Sequence, residues 1–400
     1  MKVAFINSLY APHEIGGAEK AVRTLAEEHV KAGGEAIVIS LSPEGMAKTD
    51  MIGGVKVYYV PLANFGFMHG KTPLPKWQKL IWYMIDSYNP IMRARVQKIL
   101  ADEKPDVIEA NNLQGFSVSA WKAAKNLGIP VVQVLHDYYL GCINSTMYTK
   151  GDNCQTQCAQ CKVMCTPRRM LTDIPHSVSS VSKRTLARVQ QVGMFNSTKT
   201  ISIGSSGIRL SDLTGNGERA IHKPGAPLVV GYLGRLEPLK GISVLLEAVS
   251  AMPQGSIKLL IAGGGNPQYL KELKSRFTSP AIEFLGIVDP RSLFSRIHLL
   301  VAPSLWEDPL PRVIAEAHAS GIPVAISKLG GMPEIVEDNV TGYYFEANKP
   351  EAITALFTRL HGETLPTQAQ IEACKNRVFY FSVESVFKRH QDLWSCALAK

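Results

Sequence analysis

The chain alternates short, uninterrupted apolar runs with stretches in which apolar residues recur every three or four positions. Short apolar runs are typical of strands buried on both faces of a parallel sheet, and the longer periodic stretches indicate helices. The pattern therefore predicts the α/β class. The predicted strands are 2–8, 35–41, 55–61, 106–112, 131–137, 200–204, 228–234, 258–265, 282–289, 298–304 and 323–327. Residues 177–190 are predicted as a strand that runs into a helix, and further helices are predicted at 19–32, 77–101 with an interruption at Pro90, and 383–399.

Residues 205–227 interrupt this alternation, because they are rich in Gly, Ser and charge and have no periodicity. Such a stretch is typical of an interdomain linker, and the α/β pattern restarts directly after it. We therefore predict two domains. The first comprises residues 1–205, with a cysteine-rich insert at 142–166, and is completed by the final helix at 383–400. The second comprises residues 206–382.

The composition is that of a globular protein, with 400 residues, 46% hydrophobic and 19% charged, which is enough for two cores. The net charge of +9 comes from 43 basic and 34 acidic residues. This excess fits an anionic ligand or an anionic membrane surface as well as it fits an undirected basic surface. Basic and aromatic residues do not interleave as they do in nucleic-acid-binding modules, so we expect no nucleic-acid partner.

The first residues, MKVAFINSLY, contain an apolar stretch that already fits a strand and is too short for a signal peptide. No apolar run reaches the length of about 18 residues that a membrane-spanning helix requires. These observations predict a cytoplasmic protein, with a position at the inner face of the membrane as a variant of this prediction.

The segment from Pro303 to Gly342 carries the most informative pattern. Asp308 stands directly before Pro309, which indicates an N-cap and the first residue of a helix. After the strand at 323–327, a glycine pair leads to a second helix that Pro333 would open. Because both helices would begin at the same edge of a parallel sheet, their N-terminal amides favour an anion. The amides expected to bind it are those of Leu310, Arg312 and Val313.

Asp308 and Glu316 are eight residues apart, so their carboxylates would lie about 12 Å apart along such a helix and reach two parts of an extended ligand. A simpler interpretation stands beside this one. Asp308 would then be only a cap, worth about 1 kcal/mol, and Glu316 would only pair with Arg312, worth about 0.3–0.5 kcal/mol.

Other candidate residues follow predicted strands. Arg235 and Lys240 lie in GRLEPLKG, where two cations and a glycine turn at a strand end would form a diphosphate clamp, or simply a surface loop. Gly16 and Gly17 lie at the first strand–helix turn and would let the backbone approach a phosphate or a sugar, or only turn the chain. His136 ends a strand at the ligand-binding edge, although a single histidine there is more often structural.

The predicted helix at 77–101 places Trp77, Leu80, Ile81 and Met84 at helical spacing. Packing against the rest of the domain explains this spacing in the simplest way. The alternative is an aromatic and basic surface for a lipid-linked acceptor, with peripheral contact to a membrane.

Five of the seven cysteines lie between Cys142 and Cys165. Four of them, Cys154, Cys158, Cys161 and Cys165, have the spacing of one helix face, which would spread their sulfur atoms over about 16 Å. One zinc ion needs all four sulfur atoms near 2.3 Å, so the segment is not a single helix or the thiols do not share a metal. We favour a structural zinc knuckle, with an oxidisable thiol pair or buried cysteines as alternatives, and discount a radical-SAM cluster because the flanking pattern does not predict a barrel.

Together these motifs resemble the retaining family-4 glycosyltransferases of the GT-B fold. The family signature is two glutamates separated by seven residues, and Asp308 and Glu316 meet its spacing with an aspartate in the first position. The GGMPE loop and the GR…KG motif resemble the family in the same order. The resemblance implies two Rossmann-like, doubly wound domains that face each other across a cleft, with the acceptor on the first domain and the nucleotide-sugar on the second.

The resemblance also implies roles for individual residues. Arg235, Lys240 and the amides of Leu310, Arg312 and Val313 would hold the donor diphosphate, and Glu316 would hold the ribose. The remaining assignments are donor-sugar contacts from His136, Asp308, Gly330, Gly331 and Met332, base contacts from Leu285, Gly286 and Val288, and a loop of Gly16 and Gly17 that faces the phosphates and the acceptor.

The implied activity is transfer of a hexose from a nucleotide-diphospho-sugar to a saccharide or lipid-linked acceptor, with retained configuration, in surface polysaccharide biosynthesis. No catalytic metal is expected, and zinc is expected only at the cysteines. Two alternatives stay open at this point. One is a nucleotide-sugar 2-epimerase of the same fold, and the other is a protein that binds a nucleotide-sugar or a thiol-bound metal without catalysis.

Overall fold

The computed structural model describes residues 1–66, 74–198, 200–204, 207–213 and 220–399. The chain forms two compact units. Unit 1 comprises Met1–Met147, Cys154–Ile208 and Phe381–Lys400, and unit 2 comprises Tyr148–Asn153 and Arg209–Tyr380. The last helix thus belongs to unit 1 although it follows unit 2 in the chain, and a six-residue piece of the cysteine-rich insert belongs to unit 2.

Unit 1 is built on an eight-stranded sheet with the strand order β10-β9-β6-β5-β1-β2-β4-β3. All neighbouring strands are parallel except β3 and β4. The winding of the chain reverses between β1 and β5, where open α/β sheets bind ligands at the carboxyl ends of the strands. The strands are β1 Lys2–Ile6, β2 Glu35–Ser42, β3 Lys48–Ile52, β4 Val55–Pro61, β5 Val107–Ala110, β6 Val131–Leu135, β9 Ser177–Ser180 and β10 Thr200–Ile203. The short strands β7 Tyr148–Thr149 and β8 Asp152–Asn153 form a hairpin in unit 2.

Several helices of unit 1 pack on this sheet, and the last of them completes its core. Trp394 of the last helix is fully buried, and its ring lies 6.0 Å from the ring of Phe5 in β1. The helices are α1 Gly17–Lys31, α2 Lys76–Ser87, α3 Pro90–Glu103, α4 Ser119–Asn126, α5 Ala159–Met164, α6 Thr166–Met170, α7 Lys183–Gln191 and α14 Val383–Leu398.

Unit 2 contains a six-stranded, wholly parallel sheet with the order β13-β12-β11-β14-β15-β16. This is the doubly wound 3-2-1-4-5-6 order of dinucleotide-binding folds, and its winding reverses between β11 and β14. The strands are β11 Leu228–Leu233, β12 Ile257–Ala262, β13 Ile282–Gly286, β14 Leu299–Ala302, β15 Val324–Ser327 and β16 Gly342–Phe345. The helices are α8 Ile242–Ser250, α9 Pro267–Arg276, α10 Pro290–Phe294, α11 Arg312–Ala319, α12 Pro350–His361 and α13 Gln368–Val378.

The predicted α/β class is confirmed, and most predicted strands lie within two or three residues of the observed ones. The periodic stretch at 77–101 is two helices, because Asn89 caps a new helix at Pro90 with its side chain accepting a bond from the Met92 amide. Strands β3 and β16 were not predicted from the sequence. Within the described residues, no helix combines the length and the apolar composition that crossing a membrane requires.

Candidate active site

The loops that follow β11 and β14 bring Lys240 and Asp308 together in unit 2. The Lys240 ammonium lies 2.5 Å from Asp308 Oδ2 and 5.5 Å above the centre of the Trp306 ring. Ser304 Oγ lies 3.5 Å from the same carboxylate oxygen. Asp308 is only 5% exposed, so this is a largely buried ion pair at the point where the winding of the sheet reverses. Both residues were candidates from the sequence, 68 positions apart.

Two glycines allow the loops to approach this closely. A Cβ on Gly241 would lie 1.8 Å from the carbonyl oxygen of Pro303, and a Cβ on Gly330 would lie 2.1 Å from the carbonyl oxygen of Asp308. Both glycines also have positive φ, +71° and +60°, which other residues rarely adopt. The Gly331 amide donates to Asp308 O at 2.9 Å. Gly330 and Gly331 therefore hold the backbone of Asp308 in place.

The Arg235 side chain pairs with Glu237, whereas the Lys240 side chain pairs with Asp308. The Arg235 carbonyl accepts a 2.8 Å bond from Tyr232 Oη, whereas its guanidinium is about half exposed and donates to Glu237 at 2.9 Å. Burial raises the pKa of Tyr232 far above its ordinary value, which keeps this hydroxyl a donor. The structure thus fixes the backbone of Arg235 and leaves its charged group at the surface.

The helix after Asp308 begins later than the sequence predicted. Helix α11 starts at Arg312 with Pro311 as its N-cap, so the prediction of Asp308 as the N-cap is wrong. The physical reason is Pro311, whose ring disfavours the helical conformation for Leu310 directly before it. The amides of Arg312 and Val313 lie in the first turn of α11, while the Leu310 amide lies outside the helix. The Asp308 carboxylate is consequently available to Lys240.

Glu316 lies on α11 within 3.6 Å of Arg312, and both side chains are mostly buried, at 17% and 14% exposed. This is the pairing that the simpler interpretation of the sequence gave for Glu316. It orients the carboxylate, and a ribose contact for Glu316 stays a prediction.

The residues after β15 do not form the second predicted helix. Met332–Glu334 is a single turn of 3-10 helix, so the prediction of a helix that Pro333 opens is wrong. Met332 is fully buried. The helix is absent because residues 335–341 turn toward β16, with the Val340 and Thr341 amides both donating to Glu337 O.

The predicted base contacts lie at the end of β13, on the outer side of the unit 2 sheet. Gly286 O accepts a 2.7 Å bond from the Gly263 amide, which ties this strand end to the glycine turn after β12. Leu285 and Val288 are half-buried. Nothing in these contacts assigns a base, so this role stays a prediction.

In unit 1, His136 follows β6 and contacts the end of β5. Its Nε2 lies 2.8 Å from Asn111 Oδ1, and the side-chain Nδ2 of Asn111 lies 3.3 Å from Glu109 Oε1. Gly16 and Gly17 lie at the N-terminus of α1, where Gly16 N donates to Glu19 at 2.8 Å. The Gly16 amide, which the sequence analysis proposed for contact with a ligand, is therefore hydrogen-bonded to the Glu19 side chain.

Sequence analysis missed a buried network behind His136. Glu109 Oε2 lies 2.7 Å from His390 Nδ1 and accepts a 2.8 Å bond from Trp394. Burial alone would raise the pKa of Glu109, but His390 and the other hydrogen bonds outweigh it and hold this pKa below the ordinary value. Because 281 residues separate Glu109 from His390, no local pattern reveals the pair.

Asp137 is a second residue that sequence analysis missed. Burial, with a smaller contribution from Glu19, raises the pKa of this carboxyl to about 6, while a bond from the Tyr139 amide at 2.7 Å opposes the rise. Its signal was available, since Asp137 directly follows His136 in the LHD segment. A carboxyl whose pKa is raised in this way is a candidate for proton transfer.

The cysteine-rich insert is not one helix. Cys154 lies in a loop, Cys158 caps α5, Cys161 is inside α5, and Cys165 joins α5 to α6. Cys142, which was outside the predicted set of four, shares a hydrogen bond with Cys161, and a cavity of about 20 Å³ is lined by Cys142, Cys154, Cys158 and Cys161. Within the described chain, no three or more His, Cys, Asp or Glu side chains are placed to hold a metal ion.

Zinc binding at these cysteines therefore stays a prediction from the sequence. If it is correct, purified protein should contain about one equivalent of zinc, and Cys158→Ser should lose it while Cys396→Ser, outside the insert, retains it. Metal analysis giving less than about a tenth of an equivalent would exclude the knuckle.

Comparison with known proteins assigns this chain to a family. The model of Glycosyltransferase Family 4 matches residues 15–153, and the model of Glycosyl transferases group 1 matches residues 227–363. The chain belongs to the family-4-like glycosyltransferases. Each model covers most of one half of the enzyme, and the match in the second half includes Arg235, Lys240, Asp308 and Glu316.

Relatives and solved structures of this glycosyltransferase agree with the assignment. An uncharacterized 42.6 kDa protein in the cps region of Klebsiella pneumoniae is 27% identical, over 86% of this chain and 90% of its own length. The uncharacterized glycosyltransferase MJ1607 of Methanocaldococcus jannaschii is 28% identical, over 88% and 87%. The structure of Anabaena Alr3699/HepE with UDP-glucose is 19% identical, aligns over 99% of both chains and has a TM-score of 0.70. The fold is therefore GT-B.

Proposed function

We propose that the enzyme transfers a sugar from a nucleotide-diphospho-sugar, with retained anomeric configuration, to a saccharide or lipid-linked acceptor in surface polysaccharide biosynthesis. The observation that carries the donor part is the buried pair of Lys240 and Asp308 at the reversal point of the unit 2 sheet. Retention is what the resemblance of the chain to the retaining family-4 glycosyltransferases implies.

The cations proposed for the donor diphosphate are oriented by carboxylates of unit 2. Each of three cations pairs with a carboxylate. The nitrogen–oxygen distances are 2.5 Å for Lys240 and Asp308, 2.9 Å for Arg235 and Glu237, and 3.6 Å for Arg312 and Glu316. A diphosphate that reached Lys240 and the first-turn amides of α11 would meet donors that are already oriented. Such preorganised donors stabilise the charge that develops on a leaving group, which is the largest expected catalytic contribution.

Two of the comparisons support the finer parts of the proposal. The Anabaena structure contains UDP-glucose, which favours a UDP-sugar as donor here. The Klebsiella relative is named for its position in a cps region, which agrees with a polysaccharide acceptor. In unit 1, the pair of His136 and Asn111 with the adjacent Asp137 is the group we propose for contacts with the transferred sugar or the acceptor.

A thermal-shift panel of UDP-, GDP-, ADP- and TDP-sugars, with released nucleotide assayed in parallel, tests the donor. A donor at about 100 times its Kd should stabilise the protein by about 2.7 kcal/mol, and we expect this shift for a UDP-sugar. Slow release of the nucleoside diphosphate by water should accompany binding. If an epimerised nucleotide-sugar forms without an acceptor, the protein is a 2-epimerase and not a transferase. If no donor raises the melting temperature, the proposal is contradicted.

A further inference from the structure

Helices α2, α5 and α6 of unit 1 pack against one another, and each leaves large apolar side chains exposed. Trp77, Leu80 and Met84 of α2 are 61%, 42% and 57% exposed, Val163 of α5 is 69% exposed, and Met170 of α6 is 73% exposed. Five of the eighteen large apolar side chains that are exposed in the described chain thus lie on only 23 helical residues. We refer to these five, with the basic residues named next, as the α2/α5/α6 patch.

The charges on this patch have one sign. Lys76, Lys79, Lys162 and Arg169 are exposed on the same three helices. The helices carry a single acidic residue, Asp86, which is fully buried and pairs with Arg168 at 3.0 Å. The patch therefore presents four positive charges and no negative charge of its own helices.

The patch is also held firmly on the unit. The Asp86–Arg168 pair joins α2 to α6, with both side chains 0% exposed, and Asp86 also accepts a 2.8 Å bond from Tyr139 Oη. Ser87 Oγ at the end of α2 donates to Met164 O in α5 at 2.6 Å. Because these contacts tie the three helices to one another, their exposed side chains belong to one connected helical block.

We propose that the α2/α5/α6 patch docks the enzyme on an anionic lipid bilayer. Exposed Trp and long aliphatic side chains interleaved with Lys and Arg have the composition of segments that lie in the membrane–water interface. The four positive charges select an anionic surface, since each Lys or Arg near such a surface strengthens binding. An acidic soluble partner would explain the charges but not five exposed apolar side chains. This inference does not rest on the proposed donor or acceptor.

The tryptophans provide a direct readout. Trp77 is 61% exposed, whereas Trp82, Trp121, Trp306 and Trp394 are each at most 7% exposed. With vesicles of phosphatidylcholine and phosphatidylglycerol, we expect co-sedimentation, a shift of tryptophan emission to shorter wavelength, and protection from acrylamide quenching. Pure phosphatidylcholine vesicles should give much weaker binding, and added salt should weaken binding to the anionic vesicles.

Variants identify the surface. Lys76→Gln/Lys79→Gln should weaken partitioning about 25-fold, since each charge is worth about fivefold, whereas the matched Lys271→Gln/Lys274→Gln on α9 should leave partitioning unchanged. Trp77→Ser/Leu80→Ser should weaken it at least about tenfold, and Met46→Ser, 64% exposed in the same unit, should not. Circular dichroism checks that each variant is folded.

Three results would overturn the proposal. One is no binding of the wild type to anionic vesicles at low salt, and another is equal binding of the patch and control variants. The third is a dimer in sedimentation velocity that Trp77→Ser abolishes, because a second copy of the chain would then cover the patch. Nucleotide release from the donor is measured in the same samples, so failure of the docking proposal and failure of the proposed activity are distinguishable.

Discussion

Replacing Lys240 with alanine should lower kcat for sugar transfer about 10²–10³-fold, the loss typical when one preorganised donor to a developing negative charge is removed. Lys240 is the cation that the fold holds at the reversal point of the unit 2 sheet, through its 2.5 Å contact with Asp308. Steady-state kinetics with the donor found in the panel measure the effect. Lys240→Arg should restore only part of the rate, because a planar guanidinium does not reproduce the position of the ammonium.

Asp308 makes a control necessary, since it is 5% exposed and loses its partner in Lys240→Ala. Thermal unfolding must show that the variant is folded at the assay temperature. Lys258→Ala is the matched control, because Lys258 pairs with Glu283 at 2.8 Å in the same unit but at a more exposed site on β12. Unchanged turnover in Lys240→Ala would remove Lys240 from the proposed mechanism and leave the pair with Asp308 as a structural contact.

Replacing Arg168 with methionine should destabilise unit 1 by about 3–5 kcal/mol, because it leaves a buried charge without its partner. Asp86 and Arg168 are both 0% exposed and lie 3.0 Å apart, and Arg168 also lies 3.9 Å from the centre of the Tyr139 ring. Burial raises the pKa of Asp86 to about 7, although Arg168 opposes this. Urea unfolding should therefore be measured at pH 8, where this carboxyl is mostly ionised in the wild type.

A second variant and a second pH separate charge from packing. Asp86→Leu/Arg168→Met removes both charges and should cost much less than Arg168→Met alone. Loss of Arg168 removes the charge that lowers the pKa of Asp86, so the folded variant holds this proton more tightly than the wild type does. Lowering the pH from 8 to 6 should therefore stabilise the variant more than the wild type and narrow the gap between them. A double variant that is as unstable as Arg168→Met at both pH values would show that lost packing, and not the uncompensated charge, is responsible.

The strand pattern predicted the fold class correctly, because strands of a parallel sheet are buried on both faces and appear in the sequence as apolar runs. The same reasoning did not find β3, whose sequence KTDMI is mostly exposed at the sheet edge. It also placed the start of α11 at Pro309, because proline at the first position favours a helix, but Pro311 prevents Leu310 from adopting helical geometry.

Local chemistry likewise marked Lys240 and Asp308 as candidates, since each follows a predicted strand, and the spacing of eight residues from Asp308 marked Glu316. It did not show that Lys240 contacts Asp308 or that Arg235 turns to Glu237. These outcomes depend on close packing of loops from different strands, which Gly241 and Gly330 allow by having no Cβ.

By itself, the sequence determined the α/β class, the family resemblance and the positions of the main candidate residues, because periodicity, glycine turns and residue spacing are local properties of the chain. Only the tertiary structure decided which of these residues meet. It placed Glu109 against His390 across 281 residues, joined α2 to α6 through a buried ion pair, and left Trp77 at the surface. Burial and charge pairing depend on neighbours that are distant in sequence, and the amino-acid order alone does not show those neighbours.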